Sequence, residues 1–190
     1  MNKPINLHTI LSLDKINVLE NVKLVPLNES HGLRILEILS EEPNIRKRVT
    51  VASRMNTLED VKNEIDSYKS DSGLIRYVLL KKNNPVGMIS LWRDDGFWGE
   101  KNLDDYGFGY FLDRKERGQG LITTAIKSLM EIVDNNLYVH QFVAFCEDDN
   151  KPSVTILKKL GFKPTDKVIS EPNKGWVERK YEYQNQPSTN

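Results

Sequence analysis

The sequence has little of several features that would assign a chain to a specialised class. Its one cysteine, Cys146, excludes a disulfide within the chain. Its 27 Lys and Arg residues balance 27 Asp and Glu residues, so no net charge attracts the chain to nucleic acid or to an anionic membrane. Its longest purely apolar run, residues 142–146, is much shorter than a membrane-spanning helix requires.

Two further absences limit the class of protein. The N-terminal segment MNKPINLHTILSLDK has neither the continuous apolar stretch nor the small-residue cleavage site of a signal peptide. The three histidines are scattered and the single cysteine has no companion ligands, so we expect no metal site. These features predict a cytoplasmic protein, a monomer or a homodimer, with no nucleic-acid or membrane partner.

What is present indicates one folded domain of the α+β class. Hydrophobic residues make up 38% of the chain and charged residues 28%, which is typical of globular proteins. We interpret residues 1–20 as an N-terminal extension, 21–183 as the domain and 184–190 as a flexible tail. The order of strand, helices, several strands, helix, strand, helix and strands predicts a mixed sheet. Tyr106–Leu112 and Tyr138–Cys146 flank a helix, so these two strands should be parallel.

Local signals predict several element boundaries. Ser30 is placed to cap one helix. Thr57 and Asp60 resemble a capping box before another helix, which should end near Ser70. Residues 83–85, Asn-Asn-Pro, predict the turn of a hairpin between two apolar strands.

The most informative stretch is the loop Arg117-Gly118-Gln119-Gly120, between a predicted strand and a long amphipathic helix. A helix N-terminus offers unpaired N–H groups and a partial positive charge, and glycines let a phosphate approach the backbone closely. The loop is not a P-loop, because no Gly-Lys-Ser/Thr follows, and it lacks the three-glycine dinucleotide fingerprint. It predicts either a phosphate site or a turn that needs glycine for positive φ.

A second motif follows the next strand, with NKPS at 150–153 and LKKLGF at 157–162. Alone, Asn150 would be interpreted as a helix cap. In this order, the two motifs resemble the GNAT superfamily of acyl-CoA N-acyltransferases, in the RimJ/RimL-like form whose loop reads Arg/Gln-Gly-Gln-Gly before two apolar residues. The resemblance covers about residues 21–183. It implies a mixed, mostly antiparallel sheet flanked by helices, with a splayed parallel strand pair that holds the cofactor.

The resemblance implies acetyl-CoA as co-substrate and no metal. The pantetheine arm would bind the backbone of residues 110–112 like an added strand, and Asn150 would bind the pantetheine or an ordered water. Gly107 and Gly109 fit a bulge that family members carry in this strand, and an N–H near Phe108 or Gly109 would polarise the acetyl carbonyl. The implied cofactor-binding residues are Tyr110, Phe111, Leu112, Arg117, Gly118, Gln119, Gly120, Leu121, Ile122, Thr123 and Asn150.

The resemblance also suggests an acid and a base. Ser153 matches a serine proposed to protonate the leaving thiolate in RimL-like enzymes, whereas the tyrosine that many relatives place one turn later is Leu157 here. Many relatives carry glutamate where this chain has Gly107. Glu171, which follows the Gly-Phe pair, matches a glutamate that RimL-like proteins use, and Asp105 is a second candidate base. Either carboxylate could instead be solvated, with the amine deprotonated through water.

The motifs predict an enzyme that moves an acetyl group from acetyl-CoA directly to a primary amine, with a protein N-terminal α-amine favoured. A small-molecule N-acetyltransferase, acting on an antibiotic, a polyamine or an amino acid, is the alternative. The missing glutamate at position 107 and the missing tyrosine at 157 also allow a non-catalytic CoA-binding module. A phosphate-binding scaffold without CoA is the third class.

Overall fold

One sheet organises the residues that the structure describes. The computed structural model describes residues 7, 15–71, 73–93, 104–171 and 176–184. Their strands are β1 (Ile16–Leu19), β2 (Val22–Pro26), β3 (Leu74–Lys81), β4 (Asn84–Arg93), β5 (Asp105–Leu112), β6 (Gln141–Cys146), β7 (Lys163–Glu171) and β8 (Trp176–Gln184). Their order across the sheet is β1-β2-β3-β4-β5-β6-β8-β7, and of these neighbouring pairs β5 and β6 alone are parallel. The predicted mixed, mostly antiparallel sheet is confirmed.

Helices cover both faces of this sheet. They are α1 (Gly32–Glu41), α2 (Pro43–Arg48), α3 (Thr50–Arg54), α4 (Leu58–Ser70), α5 (Leu121–Asn136) and α6 (Lys151–Lys159). Successive residues of a strand point to opposite faces of the sheet. Tyr77 and Leu79 of β3 therefore pack in the hydrophobic cluster that includes α5 and α6. Val78 and Leu80 enter the cluster that includes α1 to α4.

Two helix starts show how the capping signals work. The Thr57 side chain accepts from the Asp60 N–H, and Asp60 bonds back to Thr57, so the predicted capping box is confirmed. The prediction that Ser30 caps a helix is wrong. Asn28 has the extended backbone that a cap needs, and it caps a 3-10 turn, Glu29–His31, that contains Ser30 and leads into α1.

Three boundaries differ from the sequence prediction. Ile16–Leu19, at the end of the predicted extension, pairs with β2 and so belongs to the sheet. The β3–β4 turn lies at Lys82 and Asn83, whose φ angles of 50° and 64° suit a tight hairpin, so Pro85 is already in β4. Strand β6 begins at Gln141 and not at Tyr138, which is exposed.

The parallel pair is short and is anchored at its first residues. Strands β5 and β6 are in register for three residue pairs, beginning with Asp105 and Gln141. Asp105 is 3% exposed. Its carboxylate lies 2.8 Å from His140 Nδ1 and accepts a 2.6 Å hydrogen bond from Gln141 Nε2. The expectation of a solvated Asp105 is therefore wrong, because two side chains at the start of β6 bind this carboxylate.

We expect Asp105→Ala to lower the free energy of unfolding by about 2 kcal/mol, because the buried Gln141 amide would lose its acceptor. Urea denaturation at pH 7 measures this change. The control is Asp166→Ala on the exposed part of β7, which should change stability by less than about 0.5 kcal/mol. Equal stability of the two variants would contradict the anchoring role.

Candidate active site

A cavity opens where β5 and β6 stop pairing. The last paired residues are Gly107 and Val143. The cavity has a volume of about 520 Å³, and its walls include residues 108–110 of β5 and 144–146 of β6, which follow directly. Because β5 and β6 no longer bond to each other there, the backbone groups on those edges are available to a ligand.

The cavity receives side chains from both faces of the sheet. Tyr110 and Cys146 pack with the α5 and α6 cluster, and Ser153 of α6 lines the same side. Cys146 pairs with Arg179 of β8, so by strand alternation Glu178 points to the opposite face. That face also carries α2 and α3, whose residues 48–51 and 54 line the cavity. The cavity therefore passes through the sheet.

Ser153 lies among buried polar groups on the α6 side. Asn150 caps α6, with its Oδ1 3.5 Å from the Ser153 N–H. Tyr110 and Cys146 line the same side of the cavity as Ser153, and the buried Tyr110 hydroxyl has no hydrogen-bond partner among the residues that the structure describes. Burial, with nearby carboxylates, raises the pKa of Cys146 to about 12, and burial also raises the pKa of Tyr110, so both stay protonated at neutral pH.

The glycine loop has the backbone that its sequence predicts. Gly118 and Gly120 have φ angles of 78° and 74°, which explains why glycine stands at both positions. A Cβ at either position would meet no atom within 4 Å. The Thr124 N–H bonds to Gly120 O, so the amides of residues 121–123 have no acceptor within α5. The loop thus presents open space beside unpaired amides.

Side chains of the loop hold it against α1 and β5. Arg117 donates to the Leu112 carbonyl at 3.0 Å and to the Glu42 carboxylate at 2.6 Å. Gln119 accepts from Lys81 at 2.7 Å. Two further ion pairs join α1 to the segment before the loop, Arg34 with Asp113 and Lys115 with Glu41.

The remaining candidates for cofactor binding and for the base lie in several different parts of the structure. Phe111 is buried in the cluster on the α1 to α4 face, whereas Leu121 and Ile122 are buried in the other cluster and Thr123 is half-buried. Glu171 is the last residue of β7, opposite Trp176, and its side chain lies outside what the structure describes. Asp105 is not among the residues that line the cavity.

The two glycines of β5 accommodate a tryptophan. The β4–β5 register runs without a shift from Gly87 opposite Leu112 to Arg93 opposite Tyr106, so the expected bulge at Gly107 and Gly109 is wrong. A Cβ at Gly107 would lie 2.3 to 2.5 Å from atoms of the Trp92 indole, and one at Gly109 would lie 3.3 Å from it. Trp92 therefore occupies the space that a side chain at position 107 would need.

Charged side chains that the sequence did not single out line the α1 to α4 face. Arg76 is 4% exposed, with Nη2 2.6 Å from the Glu64 carboxylate and Nη1 2.8 Å from Ser90 Oγ. Its Nε has no hydrogen-bond partner among the residues that the structure describes. Arg54 also pairs with Glu64. The buried pair is Arg76 with Glu64. It fixes one end of the cavity wall, because separating the two side chains would leave the Arg76 charge buried and uncompensated.

Glu178 is another charged residue of this face that the sequence did not single out. It is half-buried on β8 and lines the cavity. Burial, and then the charge of Glu147, raises the pKa of Glu178 to about 7. A carboxyl with this pKa changes its protonation state near neutral pH. No sequence motif marks it, because its place depends on how β8 pairs with β6.

Metal-ligand clusters and membrane-spanning helices are both absent from the described part of the chain. No group of three or more His, Cys, Asp and Glu side chains is arranged to hold a metal ion there. None of the helices within it combines the length and apolar character needed to cross a membrane.

Comparison with known proteins assigns the family. Residues 21–163 match the family model described as "Acetyltransferase (GNAT) domain". The chain belongs to the GNAT acetyltransferase family. It is therefore an acetyl-CoA-dependent acetyltransferase, as the two sequence motifs implied.

Similar proteins support this membership. The ribosomal-protein-serine acetyltransferase of Escherichia coli (strain K12) is 23% identical over 158 residues, which cover 78% of this acetyltransferase and 83% of that protein. The N-acetyltransferase 9-like protein of Nematostella vectensis is 27% identical over 154 residues, which cover 73% of each chain.

Solved structures show the same fold. RimL, a ribosomal L7/L12 alpha-N-protein acetyltransferase in complex with coenzyme A, superposes with a TM-score of 0.76 at 16% identity, covering 90% of this chain and 97% of that one. The microcin C7 self immunity acetyltransferase MccE, in complex with acetyl-CoA and AMP, gives a TM-score of 0.77 at 18% identity, covering 93% and 99%. The predicted GNAT fold is confirmed.

We expect Gly107→Ala to destabilise this acetyltransferase by about 1 to 3 kcal/mol, because the added methyl group overlaps Trp92. Thermal unfolding measures the change. Gly109→Ala is the matched control and should cost less, since its methyl group would stand farther from the indole. A Gly107→Ala variant as stable as the control would show that the indole can move aside freely.

Proposed function

We propose that this acetyltransferase moves the acetyl group directly to a primary amine, without a covalent intermediate on the enzyme. The cavity between β5 and β6 supports this, because it is lined from both faces of the sheet. Two substrates that enter from opposite faces would meet in the opening, as direct transfer requires. Cys146 is the only cysteine, and its pKa of about 12 disfavours a thiolate that could be acylated.

The α6 side fits acetyl-CoA, which supplies an acyl thioester when bound. The amides from Gly118 to Thr123 would hold its pyrophosphate, because a helix N-terminus with open backbone suits an anion. The free edge of β5 at residues 110–112 would hold the pantetheine arm, together with Asn150. The Asp113 N–H bonds to the Val86 carbonyl, so in the β4–β5 register the main-chain groups of Phe111 face β4, whereas those of Tyr110 and Leu112 face the opening. The Leu112 carbonyl already accepts from Arg117, so Tyr110 would supply most of the main-chain contacts.

Two chain groups would then act on the reacting atoms. A main-chain N–H near Phe108 or Gly109, just past the last β5–β6 pair, would donate to the acetyl oxygen as negative charge develops there. The Ser153 hydroxyl would give a proton to the departing sulfur, because Ser153 lines the opening on the same side as Tyr110 and Asn150.

We propose a protein N-terminal α-amine as the acceptor. The similar protein RimL is named as a ribosomal L7/L12 alpha-N-protein acetyltransferase, and another relative is named as a ribosomal-protein-serine acetyltransferase. An α-amine also has a pKa near ~8, so a larger fraction is neutral at pH 7 than for a lysine amine near ~10.4.

A small-molecule amine is the second candidate. A cavity of about 520 Å³ has the size of pockets that enclose small ligands. The similar acetyltransferase MccE was solved with AMP beside acetyl-CoA.

A thiol-release assay with acetyl-CoA and an amine panel tests both candidates. We expect peptides with a free N-terminus to release CoA and to gain one acetyl group by mass spectrometry, whereas the same peptides with a blocked N-terminus should not. Turnover confined to polyamines, amino acids or other small amines would select the second candidate. Absence of thiol release with every amine would contradict the proposed transfer.

We expect Ser153→Ala to lower kcat by about a hundredfold if the hydroxyl protonates the sulfur. The affinity for acetyl-CoA, from calorimetric titration, should stay unchanged. Thr155→Ala on the exposed side of the same helix is the control and should keep wild-type turnover, because Thr155 bonds only to a carbonyl of its own helix among the described residues. Wild-type kcat in the Ser153 variant, with chemistry rate-limiting, would remove the proposed role.

A further inference from the structure

Glu178 is a carboxyl group in the cavity wall that no cation of the described part of the chain pairs with. It lines the cavity from the face that carries α2 and α3, opposite the face with Ser153. Among the residues that the structure describes, no side chain pairs with or donates to its carboxylate. A half-buried carboxylate without such partners is costly when charged, so a cationic ligand would be favoured beside it.

The charged neighbours of Glu178 already have partners. Arg48 of α2 pairs with Glu147, which follows β6, with 3.1 Å between Nη1 and Oε2. Arg179, next in β8, points to Asp148 at 2.8 Å. Two lysines nearby also have partners: Lys180 pairs with Glu182, and Lys151 of α6 donates to the Asp148 carbonyl. The remaining neighbours are uncharged: the Cys146 thiol of β6, and Val168 and Ile169 of β7. Four further charged groups line the cavity: Arg54 and Arg76, which both pair with Glu64, and Asp71 and Arg93. Close to Arg48 the wall therefore offers an acceptor two carboxyl groups, Glu147 and Glu178, of which Glu147 alone has a cationic partner among the described residues.

The acceptor chemistry needs a group of this kind. A primary amine is mostly protonated at neutral pH and must lose a proton before its nitrogen can attack. The β5 position that often carries the base in relatives is Gly107, and the Trp92 indole fills the adjacent space. Glu178 lies across the opening from the Ser153 hydroxyl, so a base and an acid would stand on opposite sides of the reacting atoms.

We propose that Glu178 binds the ammonium group of the acceptor and takes its proton, which makes it a catalytic residue of the transfer. The inference rests on the proposed function and deepens it. Glu178 accepts one ammonium proton and later releases it to solvent. The amine nitrogen forms its bond to the acetyl carbon while the carbon–sulfur bond breaks. The electron pair of that bond goes to sulfur, which leaves as a thiol with the second ammonium proton relayed through Ser153.

The first test does not depend on activity. Carbon-13 NMR of labelled glutamate carboxyls should show one resonance that titrates near pH 7 and is absent in Glu178→Gln. Glu147→Gln should move that titration to lower pH, because it removes a like charge. Glu182→Gln, on the same strand, is the matched control and should leave it in place. A Glu178 that titrates near 4.5 would overturn the proposal.

Stability gives a second readout of the same group. The pKa of Glu178 is raised in the folded protein from 4.5 to about 7, so its protonated form favours folding and that contribution is lost as pH rises through 7. The Tm of Glu178→Gln relative to wild type should therefore be higher at pH 8 than at pH 5. The Tm of Glu182→Gln relative to wild type should be the same at pH 8 and at pH 5.

Binding and turnover complete the test. The probe is alanyl-alanine amide, which has a free α-amine and no carboxylate. Added to the wild-type protein with CoA at pH 7, it should move the Glu178 resonance towards its deprotonated position, because a bound ammonium lowers the pKa of the carboxyl. An unmoved resonance would overturn the proposal even if no amine is acetylated.

With an acetylated amine from the panel, Glu178→Gln should lower kcat/KM for the amine about a hundredfold at pH 7 and remove the ascending limb near pH 7. CoA affinity should stay unchanged. Glu171→Gln, the rival base, should keep that limb. Superimposed wild-type and Glu178→Gln profiles would reject Glu178 while leaving the proposed acetyl transfer standing.

Discussion

The site depends on one constraint, which is that β5 and β6 pair over three residues and then separate. Asp105 secures the paired end through His140 and Gln141, and the chain beyond Gly107 is left without that neighbour. A fully paired sheet would satisfy these backbone groups and would close the cavity. The separation instead gives one opening that both faces of the sheet share, with α6 on one side and residues 48–51, Arg54 and Glu178 on the other.

The two sides of this opening differ in their electrostatics. The α6 side holds neutral groups with raised pKa values, Tyr110 and Cys146, around a serine hydroxyl. The opposite side holds charged groups, among them Arg76, Arg48 and Glu178. Arg76 and Arg48 are neutralised by Glu64 and Glu147, whereas Glu178 has no cationic partner in the described part of the chain, so an ammonium would be attracted to Glu178. Environments that hold an acid and a base apart allow one site to carry out both proton transfers.

Much of the fold and the backbone of the glycine loop could be predicted from sequence, because those signals are local. The loop glycines, the Thr57 capping box and the parallel strand pair each depend on residues close together in the chain. The charged wall of the cavity could not be predicted, because Glu178 reaches the cavity through the register of β8 with β6, and Trp92 lies over Gly107 through the β4–β5 register. Glycines in a strand indicate a close approach, but they do not tell whether a bulge, a ligand or an indole makes it.

The ion pairs between α1 and the glycine loop have a consequence for the independence of the two substrate sites. Arg117 with Glu42 and Lys115 with Glu41 tie the loop region to the end of α1, and α2 begins directly afterwards and leads to Arg48 in the cavity wall. These two pairs are partly exposed, so rising ionic strength weakens them. The loop and the cavity wall that carries Arg48 thus share a support at the end of α1, and a charge reversal at Glu42 would remove the carboxylate that Arg117 binds there.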